Sequence, residues 1–176
     1  LSDTIEEDRK LPPLEILKNA TITLTSDVAD VTIRPKKSEF PGLLKKIVEI
    51  SSRLDDSPDI FKSSNLIKLV AGEKEYKSSI RAELGRAHIT KELTGLSKLT
   101  LLLSPHAKRD SGFNLFISDL LYRQGIEVVH SYIDEDMVIL VNKLDAPRAY
   151  EILEQEIMRS EKVIENPKVK SRGTLL

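Results

Sequence analysis

The chain of 176 residues contains no cysteine and no tryptophan, and aromatic residues make up only 5% of it. The absence of cysteine excludes disulfide bonds and thiolate metal sites, and it is compatible with the cytoplasmic location that we expect. No apolar run approaches the ~18 residues of a membrane-spanning helix, so we expect no membrane partner. The net charge of −1 favours no polyanionic partner, and we predict no direct nucleic-acid contact.

Reactive side chains also lack the spacings that enzymes and metal sites require. The three histidines are His88, His106 and His130, and no two of them are four residues apart, so we predict no metal site. The acidic run at 134–136 is predicted to be a solvated hairpin tip. Glycine-rich phosphate motifs and a hydrolase nucleophile motif are missing. We therefore predict that the protein is not an enzyme and needs no cofactor.

Hydrophobic residues make up 40% of the chain and charged residues 31%, which is sufficient for a packed core. In the second half, the periodicity of apolar residues predicts strand and helix in regular alternation. The predicted elements there are strand 98–104, helix 113–124 ended by Gly125, strand 126–133, strand 137–142 and helix 145–156. The acidic turn at 134–136 joins the last two strands.

The first half repeats this order more loosely. Its predicted elements are strands 20–25 and 28–34 with a turn at Ser26-Asp27, a helix after Ser38, strands 60–63 and 66–71, helix 73–84 ended by Gly85, and strand 87–93. Ser38 is the predicted N-cap, and Leu43, Ile47, Ile50 and Leu54 are the predicted buried stripe of the first helix. The repeat indicates the α+β class, with two small sheet-and-helix domains at 20–95 and 96–158.

Both ends of the chain are predicted to be tails. Residues 1–19 form a polar tail or linker, in which Pro12-Pro13 favours extended backbone. Residues 159–176 are mixed in charge, and we expect them to be poorly ordered or laid over the surface. The first residue is Leu1 and not Met, so we expect the chain to belong to a longer gene product.

The two copies differ in their number of strands. The first copy has a surplus strand at 20–25, whereas the second has only the weak candidate 161–164 after its last helix. We therefore predict that 20–25 supplies the missing strand and pairs in the sheet of the second copy.

The stretch Glu39-Phe40-Pro41-Gly42-Leu43-Leu44-Lys45-Lys46-Ile47 resembles the acidic-x-Pro-Gly-x-Leu-x-x-Ile signature of ACT domains, the small amino-acid-sensing modules. The second copy resembles the second ACT domain of aspartokinases in Gly125-Ile126-Glu127-Val128, in His130-Ser131 and in Asp136 before an apolar strand. It departs from the signature at Arg109-Asp110-Ser111-Gly112. The resemblance covers roughly 20–157 and includes no aspartokinase catalytic domain.

The resemblance implies two ferredoxin-like βαββαβ units with antiparallel sheets that share a swapped strand. It also implies a small amino acid ligand, a homo-oligomer (dimer or larger), and control of an attached or partner effector. Small tandem-ACT proteins often carry an upstream helix-turn-helix segment, and if this protein has one, we expect it to have been cut away from the chain. The alternative is a dimerisation or protein-interaction module of the same fold that binds no ligand.

The candidate ligand sites are the two strand-to-helix turns, because the first N–H groups of a helix have no internal partner and attract anions. The candidate residues are Glu39, Phe40, Gly42 and Leu43 in the first turn, Asp110, Ser111, Gly112, Phe113 and Asn114 in the second, and His130 with Ser131 on a nearby strand. Each glycine could instead simply permit the turn. Asp110 could bind an α-amino group or be an exposed turn carboxylate, and His130 could line a pocket with Ser131 or be a half-buried strand residue.

RNA-recognition modules share this fold outline and stack bases on strand aromatics. In the predicted inner strands only Tyr132 is aromatic, which argues against RNA binding through that surface.

Overall fold

The computed structural model of the chain describes residues 13–104 and 111–165. Its strands are β1 (Thr21–Ile33), β2 (Asp59–Ser63), β3 (Leu66–Gly72), β4 (Ile89–Leu102), β5 (Val128–Ile133) and β6 (Met137–Asn142). Its helices are α1 (Pro13–Leu17), α2 (Phe40–Ser51), α3 (Glu73–Glu75), α4 (Arg81–Leu84), α5 (Ser111–Arg123) and α6 (Ala146–Glu165), and a π-helical turn at Tyr76–Ile80 joins α3 to α4. The mixture of helices with antiparallel strand pairs confirms the predicted α+β class.

The strands are hydrogen-bonded in the order β2-β3-β1-β4-β6-β5. Two compact units divide the chain: one contains Leu24–Lys98 and Leu140–Ala146, and the other contains the rest of the described residues. The first unit includes most of the first predicted copy, with strand order β2-β3-β1-β4, and the second has the order β1-β4-β6-β5. Each is the order of a ferredoxin-like unit. The ranges 20–95 and 96–158 remain predictions of domain boundaries.

The prediction of a shared strand is confirmed for the beginning of β1. The pairing of β1 with β3 covers Val28–Ile33, and residues 21–23 are grouped with Leu99–Ile139 instead of with the first copy. Residues 21–23 of β1 therefore belong to the unit that lacked a strand in the sequence analysis, whereas residues 24 and 25 of the predicted strand are grouped with the first copy.

Two predicted breaks between strands are wrong. The turn predicted at Ser26-Asp27 lies inside β1, and the predicted strands 87–93 and 98–104 are one strand, β4. Asp27 (φ 57°) and Gly95 (φ 72°) adopt left-handed backbone conformations within these strands. A single residue of this kind bends a strand without ending it, as in a β-bulge, and short sequence patterns do not distinguish such a bend from a turn.

Polar contacts hold both bends within one unit. The Gly95 N–H donates to Glu73 Oε1 at 2.7 Å, and the Gly95 carbonyl accepts from the Lys143 N–H at 3.0 Å. Lys143 Nζ lies 2.5 Å from Asp27 Oδ1, and this hydrogen bond raises the pKa of Lys143. At the bend in β4, both the N–H and the carbonyl of Gly95 therefore have hydrogen-bond partners.

Replacing Gly95 with alanine is expected to lower the free energy of unfolding by ~1–2 kcal/mol, because a Cβ makes the left-handed conformation unfavourable. A Cβ at Gly95 would meet no atom within 4 Å, so the effect is conformational and not steric. Gly42→Ala is the matched control, since Gly42 lies in α2 with equally open space. Alanine there should raise stability by up to ~1 kcal/mol in urea titrations. Equal effects of the two substitutions would contradict the assigned bend.

The prediction of a tail or linker over residues 1–19 is wrong for residues 13–17. Residues 13–17 form α1, in which Ile16 and Leu17 are buried, and α1 packs against α5 in the same unit. Proline is favoured in the first turn of a helix, so Pro13 begins a helix here instead of extending a linker. Residues 1–12 lie outside the described part of the chain.

The C-terminal prediction also needs correction. The helix predicted for 145–156 continues to Glu165, so residues 159–165 are helical, and neither the predicted tail nor the weak strand 161–164 begins there. Ser160 is buried, and its hydroxyl donates to the Ile157 carbonyl at 2.6 Å. Burial on one side of α6 stabilises this extension. The predicted tail residues 166–176 are outside the described ranges.

The core of the unit formed by Leu24–Lys98 and Leu140–Ala146 lies between its sheet and its helices. Its buried members are Ala29, Val31, Ile33, Ile47, Ile50, Ile67, Leu69, Ala71, Tyr76 and Ile80. Ile47 and Ile50 confirm the centre of the predicted stripe on α2, whereas Leu54 lies beyond the end of that helix at Ser51. In β6, Met137–Val141 are all buried, as expected for an interior strand.

Candidate functional site

The first predicted turn precedes α2. Glu39, and not the predicted Ser38, is the N-cap residue, and its side chain makes no capping bond to the helix. Glu39 Oε2 instead accepts from the Lys36 N–H at 3.3 Å and lies 3.8 Å from His88 Nδ1. The carboxylate therefore closes the turn before the helix and sits beside the residues that lead into β4.

Few amides remain for a ligand at this turn. The Phe40 N–H donates to the Lys36 carbonyl and the Leu43 N–H to the Glu39 carbonyl, while Pro41 has no N–H. Gly42 is exposed, and its N–H has no partner within the described ranges. Phe40 and Leu43 pack on the core of this unit. Of the four candidate residues, Gly42 alone offers an amide to a ligand.

The second predicted turn leads into α5, which begins at Ser111. Asp110 lies outside the described residues, as does His106. Gly112 is exposed and lines a cleft of about 360 Å³ with Leu115, Phe116 and Asp119, whereas Phe113 is 2% exposed and belongs to the core. The turn thus combines an exposed glycine with a buried aromatic anchor.

Asn114 and Ser131 are brought together as the sequence suggested. The Ser131 hydroxyl donates to Asn114 Oδ1 at 2.8 Å, which ties β5 to the first turn of α5. His130 is not part of this contact, because successive strand residues point to opposite faces. Its ring lies 6.1 Å from that of Tyr132 on the other face of β5. The pocket suggested for His130 and Ser131 stays a prediction.

A further cluster, which the sequence analysis missed, surrounds the start of β4. The Tyr76 hydroxyl donates to Glu92 Oε1, and the Arg81 guanidinium lies 5.8 Å above the Tyr76 ring centroid and 3.7 Å from Glu92 Oε2. Beside it lies a cleft of about 320 Å³ lined by Arg86, Ile89, Thr90, Lys91 and Glu92. The cluster and the cleft share Glu92.

The π-helical turn explains how Tyr76 and Arg81 meet. The Arg81 N–H donates to the Tyr76 carbonyl, an i+5 bond that stacks these two residues along the helix. An ordinary α-helix would place residues five apart on different sides. The sequence analysis missed the pair because its periodicity assumed a regular helix over 73–84.

Burial raises the pKa of Tyr76 well above its usual range, and the neighbouring Glu92 carboxylate acts in the same direction. The positive charges of Arg81 and Arg86 oppose this rise in pKa. The phenol therefore stays protonated at neutral pH and acts as a donor to Glu92. Its carboxylate is thereby held in one orientation beside the cleft.

Two classes of site receive no support within the described part of the chain. No group of three or more histidine, cysteine or acidic side chains is arranged to hold a metal ion among residues 13–104 and 111–165. In the same ranges, no helix is both long and apolar enough to cross a membrane.

Solved structures that share this fold include the regulatory parts of aspartate kinases. The regulatory subunit of aspartate kinase from Thermus thermophilus has a TM-score of 0.57 and 14% identity, over 80% of this chain and 97% of that chain. Aspartate kinase from Clostridium acetobutylicum has a TM-score of 0.61 and 12% identity, over 78% of this chain and 34% of that chain. E. coli aspartokinase III, solved in complex with lysine and aspartate, has a TM-score of 0.53 and 14% identity, over 78% and 32%.

No protein-family profile and no curated protein matches the chain. The chain spans about a third of the length of the last two kinases, and almost all of the Thermus thermophilus regulatory subunit. Its fold is that of the ACT-containing regulatory domains of aspartate kinases, with two ferredoxin-like units. The resemblance stated from the sequence is confirmed at the level of fold, and it concerns regulatory and not catalytic domains.

Proposed function

We propose that the protein is a cytoplasmic amino-acid-sensing regulatory module that binds a small amino acid at ACT-type turns and oligomerises to control an attached or partner effector of amino acid metabolism. The observation that carries this proposal is the fold agreement over 97% of an aspartate kinase regulatory subunit. The complex of E. coli aspartokinase III with lysine and aspartate supports an amino acid as the ligand class.

The second turn is the better candidate for the ligand. The first turn has one unpaired amide, at Gly42, because its neighbours are already bonded or lack an N–H. At the second turn, the ligand carboxylate would bind in the cleft that Gly112 lines at the start of α5, and its ammonium would face Asp110 or a carbonyl of a neighbouring copy. The polar pair of Asn114 and Ser131 lies beside the start of the same helix.

Regulation would follow from differential binding. A ligand shifts an equilibrium between two arrangements only by the difference of its affinities for them. A site shared by two copies would bind its ligand in one arrangement of the copies, and the effector would respond to that arrangement. The protein itself would carry out no reaction.

A thermal-shift screen of the twenty amino acids tests this function. A specific ligand should raise the melting temperature, because it stabilises the folded state by RT ln(1 + [L]/Kd). In a separate measurement, light scattering should return a mass above the 19.8 kDa of one chain, as expected for an oligomer. Asp110→Ala should weaken binding by at least about ten-fold in calorimetry, because one charge-assisted hydrogen bond is lost. The melting temperature of the unliganded variant should stay nearly unchanged.

The control variant is Asp56→Ala, which removes an exposed carboxylate from the loop after α2 and should leave binding unchanged. Weaker binding in Glu39→Ala, with Asp110→Ala equal to the wild type, would move the site to the first turn. If no amino acid binds an intact oligomer, the module is a ligand-free dimerisation domain, and the sensor function is wrong.

A further inference from the structure

We propose that the cleft at the start of β4, lined by Arg86, Ile89, Thr90, Lys91 and Glu92, binds an acidic amino acid, a ligand with two carboxylates and one ammonium. This site is separate from both predicted turns. The inference rests on the proposed function, because it assigns a chemical class to the amino acid and a second place on the chain where it binds.

The cationic groups of the cleft are available for carboxylates. Across the described ranges, neither Arg86 nor Lys91 has an acidic side chain within ion-pair distance, although both line the cleft. Arginine binds a carboxylate through two parallel N–H groups, and lysine binds one as a point charge. Two separate carboxylates on one small ligand would therefore each find a cation.

The carboxylate of the cleft is held in place before any ligand arrives. Glu92 accepts the Tyr76 hydroxyl on Oε1, and Arg81 lies 3.7 Å from its Oε2. Tyr76 is fully buried in the core, and the π-helical turn fixes Arg81 above its ring. An oriented carboxylate at the edge of a small cleft suits an ammonium group.

Thr90 adds a second acceptor. Its hydroxyl donates its proton to the Thr32 carbonyl at 3.2 Å. The hydroxyl oxygen is therefore left as an acceptor for a hydrogen bond from a ligand. An ammonium group has three donors and can bond to Thr90 and Glu92 together. The polar groups of the cleft thus divide into an anion-binding side and an ammonium-binding side.

Charge and size restrict the ligand further. Two cations, Arg86 and Lys91, line the cleft, and a third, Arg81, lies beside Glu92, which is the one carboxylate among the lining residues. A ligand with a net charge of −1 reduces this excess, whereas a basic amino acid would increase it. The volume of about 320 Å³ lies at the lower end of the range for small-molecule sites. An acidic amino acid matches both properties better than a neutral or basic one.

Calorimetric titration of the full chain with L-glutamate and L-aspartate tests the proposal. Arg86→Gln and Lys91→Gln should each weaken the binding of the preferred probe by at least about ten-fold, because each loses a charge-assisted contact. The matched controls are Arg148→Gln and Lys45→Gln, which remove exposed charges from α6 and α2 and should bind as the wild type does. Succinate should bind more weakly than aspartate, since it has no ammonium for Glu92 and Thr90.

The outcomes separate this inference from the proposed function. If another amino acid binds and neither Arg86→Gln nor Lys91→Gln changes its affinity, the cleft proposal is overturned and the sensor function stands. The same holds if glutamate or aspartate binding is lost in Asp110→Ala but kept in Arg86→Gln. Equal affinities for succinate and aspartate would overturn the role given to Glu92. If none of the twenty amino acids binds, both proposals fail.

Discussion

Phe113→Ala is expected to lower the free energy of unfolding by ~3–5 kcal/mol, which for a chain of this size is a fall in melting temperature of about 6–20 °C. Phe113 is 2% exposed in the first turn of α5, so alanine would leave a cavity that the surrounding side chains fill only in part. Urea titration followed by circular dichroism measures the change. Phe113→Leu should cost considerably less, because it keeps most of the apolar volume.

The control lies two residues further along the same helix. Leu115 is 71% exposed, so Leu115→Ala should change the free energy of unfolding by no more than ~0.5 kcal/mol. Comparable stability in Phe113→Ala and wild type would show that Phe113 is not a core anchor.

A second large effect is expected at alkaline pH from Tyr76. Its pKa in the folded protein is raised by burial and by Glu92, whereas the unfolded phenol ionises near pH ~10. The associated stability is fully present below that pH. Above it the unfolded state binds fewer protons than the folded state, so stability falls as pH rises, by at most ~1.4 kcal/mol per pH unit. Between pH 9 and 11.5 the wild type should lose about 2 kcal/mol more than Tyr76→Phe.

The comparison of variants isolates this phenol from other groups that titrate in the same range. Lysines lose their protons in wild type and Tyr76→Phe alike, so only the difference in slope reports Tyr76. Tyr122 is 77% exposed, and Tyr122→Phe should keep the wild-type slope. Parallel stability curves for wild type and Tyr76→Phe would contradict a buried, protonated Tyr76.

The fold class and the order of elements were predictable because apolar periodicity is a local property of the chain. The spacing of Ile47 and Ile50 predicted the buried face of α2, and the apolar run at 137–141 predicted an interior strand. The surplus of strands in the first copy also predicted that the start of β1 would belong to the second unit.

The continuity of β1 and β4 was not predictable by the same means. Ser26-Asp27 has the residue types of a turn, and a glycine at 95 is compatible with a loop between domains. The positive φ angles of Asp27 and Gly95 within β1 and β4 show that the backbone bends at these residues and remains in a strand. The hydrogen bonds to Gly95 and the ion pair at Asp27 hold these bends. These partners are distant in sequence, so no local pattern records them.

The candidate turns were found from sequence because Gly42 and Gly112 each follow a predicted strand and open a predicted helix, and the residues around Gly42 also follow a motif. The path of the backbone before a helix determines which amides remain unpaired. In the first turn, the N–H of Gly42 is the one amide of the candidate residues that is left for a ligand. The cluster of Tyr76, Arg81 and Glu92 depends on a π-helical turn and on a strand sixteen residues away from the tyrosine.

By itself, the sequence determined the secondary-structure alternation, the duplicated α+β arrangement and the resemblance to ACT domains, since each rests on residue types at short spacing. The tertiary structure alone decided that β1 and β4 each continue through a predicted break. It also decided that a charged cleft opens at the start of β4. The physical reason is that burial, long-range hydrogen bonds and charge placement depend on which distant segments pack together, and local propensity does not contain that information.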